Sequence, residues 1–150
     1  MATQEQQIIT VIRRATDADL QSISTLIHSF VKNGEVLPRT LQELTTLIET
    51  FFVAEQNGEI VGCVSLEIFN WKLAEVRSLC VAEAARNQGI GKKLVDACVQ
   101  YAQSQNILEV MAITHNENFF VSCGFDYTLP NLKKALFIQT GVLNMQDNDQ

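Results

Sequence analysis

The chain has 150 residues, 47% hydrophobic and 19% charged, the size and balance of one domain with a single core. Seventeen acidic residues against eleven basic ones leave a net charge of -6, the wrong sign for a surface that neutralises nucleic-acid phosphates, so nucleic acid is excluded as a partner. The apolar runs are strand-sized, which excludes a membrane span of about 20 residues. The first residues lack the basic-then-apolar order of a secretory signal, so a cytoplasmic chain is expected. One domain covers residues 1–150, with its core over about 8–145 and a polar tail over 146–150.

In chain order, residues 8–14 read as a strand that enters a helix through Thr16 and Asp17, with Leu20, Ile23, Ile27 and Phe30 on one helical face. That helix ends near Asn33 and Gly34. Thr40 and Glu43 have the spacing of a capping box at the start of a short helix striped by Leu41, Leu44, Leu47 and Ile48. Residues 51–56 and 59–69 are strand-like and meet at Asn57-Gly58, a hairpin turn pair that tolerates positive φ. A third strand over 74–81 extends the antiparallel meander after a reversal at 70–72. Helical periodicity follows over 89–104, with Ile90, Leu94, Ala97, Cys98 and Tyr101 on one side.

Residues 107–114 form a nearly all-apolar strand, expected to be covered on both faces and, through the helix before it, to lie parallel to the strand over 74–81. A short helix over 118–123 and a final strand region from Phe125, resuming over 136–145, complete a mixed α/β layer. Cys63, Cys80, Cys98 and Cys123 are scattered in apolar contexts without CxxC spacing, which reads as buried reduced thiols and no metal site.

Residues 75–94 carry the chemistry. A strand runs into Arg86-Asn87-Gln88-Gly89-Ile90-Gly91 and then into an amphipathic helix with Lys92 and Lys93 in its first turn. Glycines at that place let backbone N–H groups converge, and the helix N-terminus adds partial positive charge, which makes a pyrophosphate cradle. A plain glycine-rich turn opening a surface helix is the alternative. The dinucleotide fingerprint fails because Leu94 stands where glycine is needed, and the Walker loop fails at Arg86 and Lys93.

The segment Arg86–Gly91 resembles the Arg/Gln-x-x-Gly-x-Gly/Ala signature of the GNAT family of N-acetyltransferases, and Asn118-Phe119-Phe120-Val121-Ser122-Cys123-Gly124-Phe125 is similar to that family's second motif. The resemblance implies a mixed, mostly antiparallel sheet with a central parallel strand pair and flanking helices. It also implies acetyl-CoA as cosubstrate, with no metal. By position, the backbone of Leu79, Cys80 and Val81 would face the pantetheine arm, and Arg86, Asn87, Gln88, Gly89, Ile90, Gly91 and Lys92 would hold the pyrophosphate.

A narrower resemblance, to the acetyltransferase domain of N-acetylglutamate synthases, rests on Gly34-Glu35-Val36-Leu37-Pro38-Arg39, on residues 59–63 and 74–79, and on Ile113-Thr114 with Phe119-Phe120. It implies acetyl transfer to the α-amino group of glutamate, the entry step of arginine biosynthesis, with a small amino acid as partner; a homodimer is left open. An α-amine, with a pKa of about 8, needs a base. Glu75 is the candidate, or else a strand-end carboxylate paired with Arg77. Arg39 and Arg77 are candidates for the substrate carboxylates, since guanidinium forks grip carboxylates with two hydrogen bonds; surface salt bridges are the alternative.

Many relatives carry a tyrosine as acid where Phe120 stands, so His115 is the candidate proton donor to the thiolate, or else a loop residue. Thr140 stands where the resembling enzymes place a substrate-binding hydroxyl, whereas their nearby arginine has no counterpart. The competing functions are acetylation of another small amine or a protein N-terminus, and CoA binding without catalysis.

Overall fold

A computed structural model describes residues 7–127, 131 and 133–142. Strand β1 (Thr10–Arg14) leads through a 3-10 turn into helix α1 (Leu20–Val31), and helix α2 (Leu41–Leu47) precedes strands β2 (Phe51–Gln56), β3 (Glu59–Asn70) and β4 (Leu73–Val81). Helix α3 (Ile90–Ser104), strand β5 (Glu109–Ala112) and helix α4 (Glu117–Ser122) follow. The strands form one sheet in the order β1-β2-β3-β4-β5. All neighbours are antiparallel except β4 and β5, which are parallel.

Local chemistry accounts for the joints. Asn57 and Gly58 turn the β2–β3 hairpin at φ 51° and 78°, the left-handed pair a two-residue hairpin requires. The Thr40 hydroxyl accepts from the Glu43 N–H at 3.1 Å and starts α2. At the α1 entrance Thr16 and Asp19 form a capping box, with the Thr16 N–H donating to Asp19 Oδ2 at 2.8 Å. The predicted helix therefore begins as a 3-10 turn, with α-helical geometry only from Leu20.

Apolar side chains fill both faces of the sheet. Helix α3 packs Ile90, Leu94, Val95, Cys98 and Ala102 with Val64, Leu66, Ala74 and Val76. On the opposite face α1 and α2 bury Ile23, Ile27, Phe30 and Leu44 with Phe51, Val53, Cys63 and Cys80. Gly62 lets the first turns of α3 approach β3, since a Cβ there would meet Leu94 Cδ1 at 3.0 Å and the Cys80 carbonyl oxygen at 3.3 Å.

A bulge in β4 positions the site. Cys63 pairs with Cys80 and Ser65 with Arg77, so Ser78 and Leu79 together stand opposite Val64, and Ser78 takes φ 55°. One extra residue reverses the alternation of side chains. Ala74 and Val76 face α3 before the bulge and Leu79 and Val81 face it afterwards, while Glu75, Arg77 and then Cys80 belong to the other face.

The C-terminal expectations change. Strand β5 is four residues long rather than spanning 107–114, and its residues are half-buried rather than covered on both faces. The N–H groups of Ile107 and Leu108 are taken by Ala102 and Trp71 carbonyls, which holds these residues outside the ladder. The expected strand from Phe125 is not observed among the described residues. Leu136, Phe137 and Ile138 are exposed and belong to no ladder; residues 143–145 lie outside the described residues, as does the polar tail.

Candidate active site

Pairing between β4 and β5 stops at Val76 opposite Ala112. Beyond it, residues 77–81 of β4 have a strand neighbour on one side only, and the chain after Ala112 diverges. Into this gap opens a cavity of about 930 Å³, walled by the loop 34–39, by residues 75–79 of β4 and by residues 113–116 with Phe119 and Phe120. A second cavity of about 480 Å³ shares Leu79, Asn116 and Phe119 with it and continues past Val81 to Arg86, Asn87, Gly89, Ile90, Gly91 and Lys92. One wall of β4 thus connects the chamber that holds Arg39, Glu75, Arg77 and His115 to the first turn of α3.

The second cavity has the form expected of an anion cradle. Asn87 and Gly89 take φ 64° and 74°, and Gly89 is the residue from which α3 starts. The free N–H groups of the first helical turn lie at this end of the cavity. Gln88 has its side-chain oxygen bonded by Gln56 Nε2 at 2.7 Å, and Gln56 also donates to Thr10 Oγ1 at 2.8 Å. The loop is therefore tied to β1 and β2. Gly91 leaves room for Phe119, whose ring would lie 3.3 Å from a Cβ at that position. The Arg86 guanidinium lies 5.8 Å from the Phe30 ring centre.

In the larger chamber Glu75 is 6% exposed. Burial raises its pKa from the ordinary carboxyl value, with Arg77 opposing and Glu67 reinforcing the shift. Arg77 Nη1 donates to Glu67 Oε2 at 3.0 Å, and its Nε lies 3.7 Å from Glu75 Oε1. Arg39 Nη2 lies 2.6 Å from Glu67 Oε1, an ion-pair contact rather than an aligned hydrogen bond. Its Nε donates to Ser78 Oγ at 3.3 Å. Its Nη1 lies 3.8 Å from Glu43.

The structure therefore brings Glu75, Arg39, Arg77, Leu79 and His115 to one chamber. It does not bring Thr140 there: that residue is exposed in a segment without regular structure. The Cys80 thiol also lies elsewhere. The residue is 1% exposed in the core under α1, beside Cys63, and Cys80 lines neither cavity. Hydrogen bonding with the Cys80 thiol, then complete burial, push the Cys63 thiol up, and burial pushes Cys98 up to about 12.

Two residues escaped the reading of the sequence. Glu67 bridges both arginines, and Ser78 forms the bulge and receives Arg39. Both left a signal: apolar residues facing α3 fall at 74 and 76 and then at 79 and 81, a slip of one, and a reversal at 70–72 brings Glu67 opposite Glu75.

The acetyltransferase (GNAT) family model matches residues 18–125, and the chain belongs to this family of N-acetyltransferases. An uncharacterised N-acetyltransferase of Chlorobaculum tepidum is 35% identical over 116 residues, 77% of this chain and 75% of that protein. The amino-acid acetyltransferase of Mycobacterium tuberculosis is 32% identical over 119 residues, 77% of this chain and 67% of the relative. Among solved structures, N-acetylglutamate synthase from Neisseria gonorrhoeae complexed with coenzyme A and N-acetyl-glutamate superposes with a TM-score of 0.72 at 25% identity, over 78% of this chain and 28% of the longer one. Among the described residues no group of His, Cys, Asp and Glu is arranged to hold a metal ion, and no helix is long and apolar enough to cross a membrane.

Proposed function

We propose that this enzyme transfers the acetyl group of acetyl-CoA to the α-amino group of glutamate or a closely related small acidic amino acid. The observation that carries this reading is a buried carboxyl and two guanidinium groups gathered in one chamber that meets, at Leu79, the cavity at the start of α3. The similarity to amino-acid acetyltransferases supports the same acceptor.

In this reading the pyrophosphate takes the N–H groups of residues 88–92, and the pantetheine arm lies along the open edge of β4. The thioester then stands at Leu79, whose backbone N–H receives the oxyanion. Arg39 and Arg77 receive the acceptor's carboxylates and turn its amine toward Glu75. The ammonium gives one proton to Glu75, directly or through a water. The freed lone pair attacks the thioester carbon, and the carbonyl π pair moves to oxygen. Collapse breaks the C–S bond; the second amine proton is lost from nitrogen, and the departing thiolate is protonated. His115 lines the chamber and serves as that donor. The net reaction yields amide, free CoA thiol and one proton.

Thiol release from acetyl-CoA across a panel of amino acids and diamines tests the proposal. Glutamate is expected to give release well above buffer, and Arg39→Ala to raise the KM for glutamate by about tenfold or more, the value of a charged hydrogen bond, with acetyl-CoA little affected. Release with a diamine and none with glutamate overturns the assignment.

A further inference from the structure

We infer that Glu67 is a positioning residue for the acceptor: one carboxylate that holds Arg39 and Arg77 side by side so that the chamber receives a substrate with two carboxylates. This rests on the proposed acceptor class. Two guanidinium groups repel each other, and a chamber with both needs an anion between them.

Glu67 supplies it, with Oε1 at 2.6 Å from Arg39 and Oε2 at 3.0 Å from Arg77. Its side chain is only 12% exposed, so the contacts are screened far less than at a surface. Arg39, Arg77 and Glu75 line the chamber, whereas Glu67 does not. It lies on β3 outside the cavity lining, and the guanidinium nitrogens it does not contact include Arg39 Nη1, 3.8 Å from Glu43, and Arg77 Nη2. An anion in that place positions the arginines without competing with a ligand in the chamber.

The sheet register gives Glu67 a second effect. It pairs directly with Glu75 across β3 and β4, and two carboxylates at that spacing oppose each other's ionisation. Other titratable or charged groups around the chamber are Arg77 on the same strand, Arg39 and Glu35 from the loop before α2, Glu43 on α2 near Arg39, and His115 after β5. Removing the Glu67 charge frees Arg77 to turn fully to Glu75 and removes a repulsion, and both changes favour the ionised Glu75.

The test is Glu67→Gln, nearly isosteric, compared with wild type in steady-state assays across pH. The KM for glutamate is expected to rise about tenfold, corresponding to about 1.4 kcal/mol, while the KM for acetyl-CoA stays within about twofold. The acid limb of the kcat/KM profile is expected to move to lower pH. Glu67→Asp, which keeps the charge but is too short to reach both arginines, is expected to keep the wild-type acid limb while sharing the higher KM. An unchanged glutamate KM in a folded Glu67→Gln protein overturns the inference. A lower KM also overturns it, because Glu67 would then compete with the substrate. Wild-type turnover of glutamate with no Glu67 effect refutes this inference alone, whereas absence of wild-type turnover with any acidic amino acid refutes the acceptor assignment. A chromatographic and circular-dichroism comparison identifies a variant that has not folded.

Discussion

Glu75 owes its character to its place on β4. Its alternation with Val76 turns it from the apolar face packed by α3 toward the chamber, and 6% exposure leaves little water for its charge. A carboxyl that holds its proton to higher pH than usual is a better proton acceptor once ionised. In the proposed role of base, a raised pKa means that the base form is lost as pH falls through that raised value, so the acid limb of kcat/KM is expected at higher pH than an unperturbed carboxylate would give. Glu75→Gln is expected to lower kcat by about 100-fold or more and to abolish that limb, as pH–rate profiles would register. Cys80 is the counterexample. It is adjacent in sequence to the residues assigned to the thioester, but the bulge has turned its thiol into the core under α1. Cys80→Ala is expected to keep kcat within a few-fold of wild type while lowering the urea midpoint; loss of turnover in a folded variant would instead point to an acetyl-enzyme formed on its thiol.

At the scale of elements, hydrophobic periodicity and turn chemistry were legible wherever one face of an element is buried against its neighbour. Helix α3 is the clear case, with Ile90, Leu94, Cys98 and Ala102 buried along one side. The glycine-bearing loop before α3 was legible because glycine at position 89 answers a local backbone demand, φ 74°. Less legible were features that depend on pairing. Strand β5 is shorter than its apolar run because Ile113 and Thr114 diverge from β4 to open the chamber, and composition carries no record of where two parallel strands part. The junction of β3 with α3 makes a separate prediction. Gly62→Ala is expected to cost about 1–3 kcal/mol through overpacking against Leu94 and the Cys80 carbonyl. Chemical denaturation measures this, and the same variant should bind coenzyme A less tightly if α3 is displaced.

At the scale of the whole molecule, a charge network ties the first strand to the first helix and makes stability depend on pH. Asp19 accepts from Arg13 Nη1 and Nη2 at 2.8 and 2.9 Å, while Arg13 Nε reaches Glu55 on β2 at 2.8 Å. The Arg13 guanidinium lowers the Asp19 pKa to about 2, against an ordinary value of 3.8. The folded pKa is the lower one, so this stabilisation is fully present above the unfolded value and disappears as pH falls through the folded value. A difference of this size corresponds to about 2 kcal/mol. Urea midpoints measured from pH 5 to pH 2 should fall for wild type, and Asp19→Asn should be less stable at pH 5 with a flatter dependence below it.

Much of the protein was determined by its sequence. The order of strands and helices, the hairpin at Asn57-Gly58, the cradle before α3 and the presence of Glu75 and Arg77 on one face follow from local rules about backbone freedom and side-chain alternation. Those rules act over a few residues, and the information they use lies in consecutive positions. The tertiary structure decided the rest. It set the bulge at Ser78 and Leu79 that reverses the strand, the parting of β4 from β5, and the absence of Thr140 from the chamber's walls. It also brought Arg39, from a loop whose shape no periodicity specifies, onto Glu67. Electrostatic coupling among four side chains depends on separations of a few ångströms between segments far apart in the chain, and only the folded sheet supplies them.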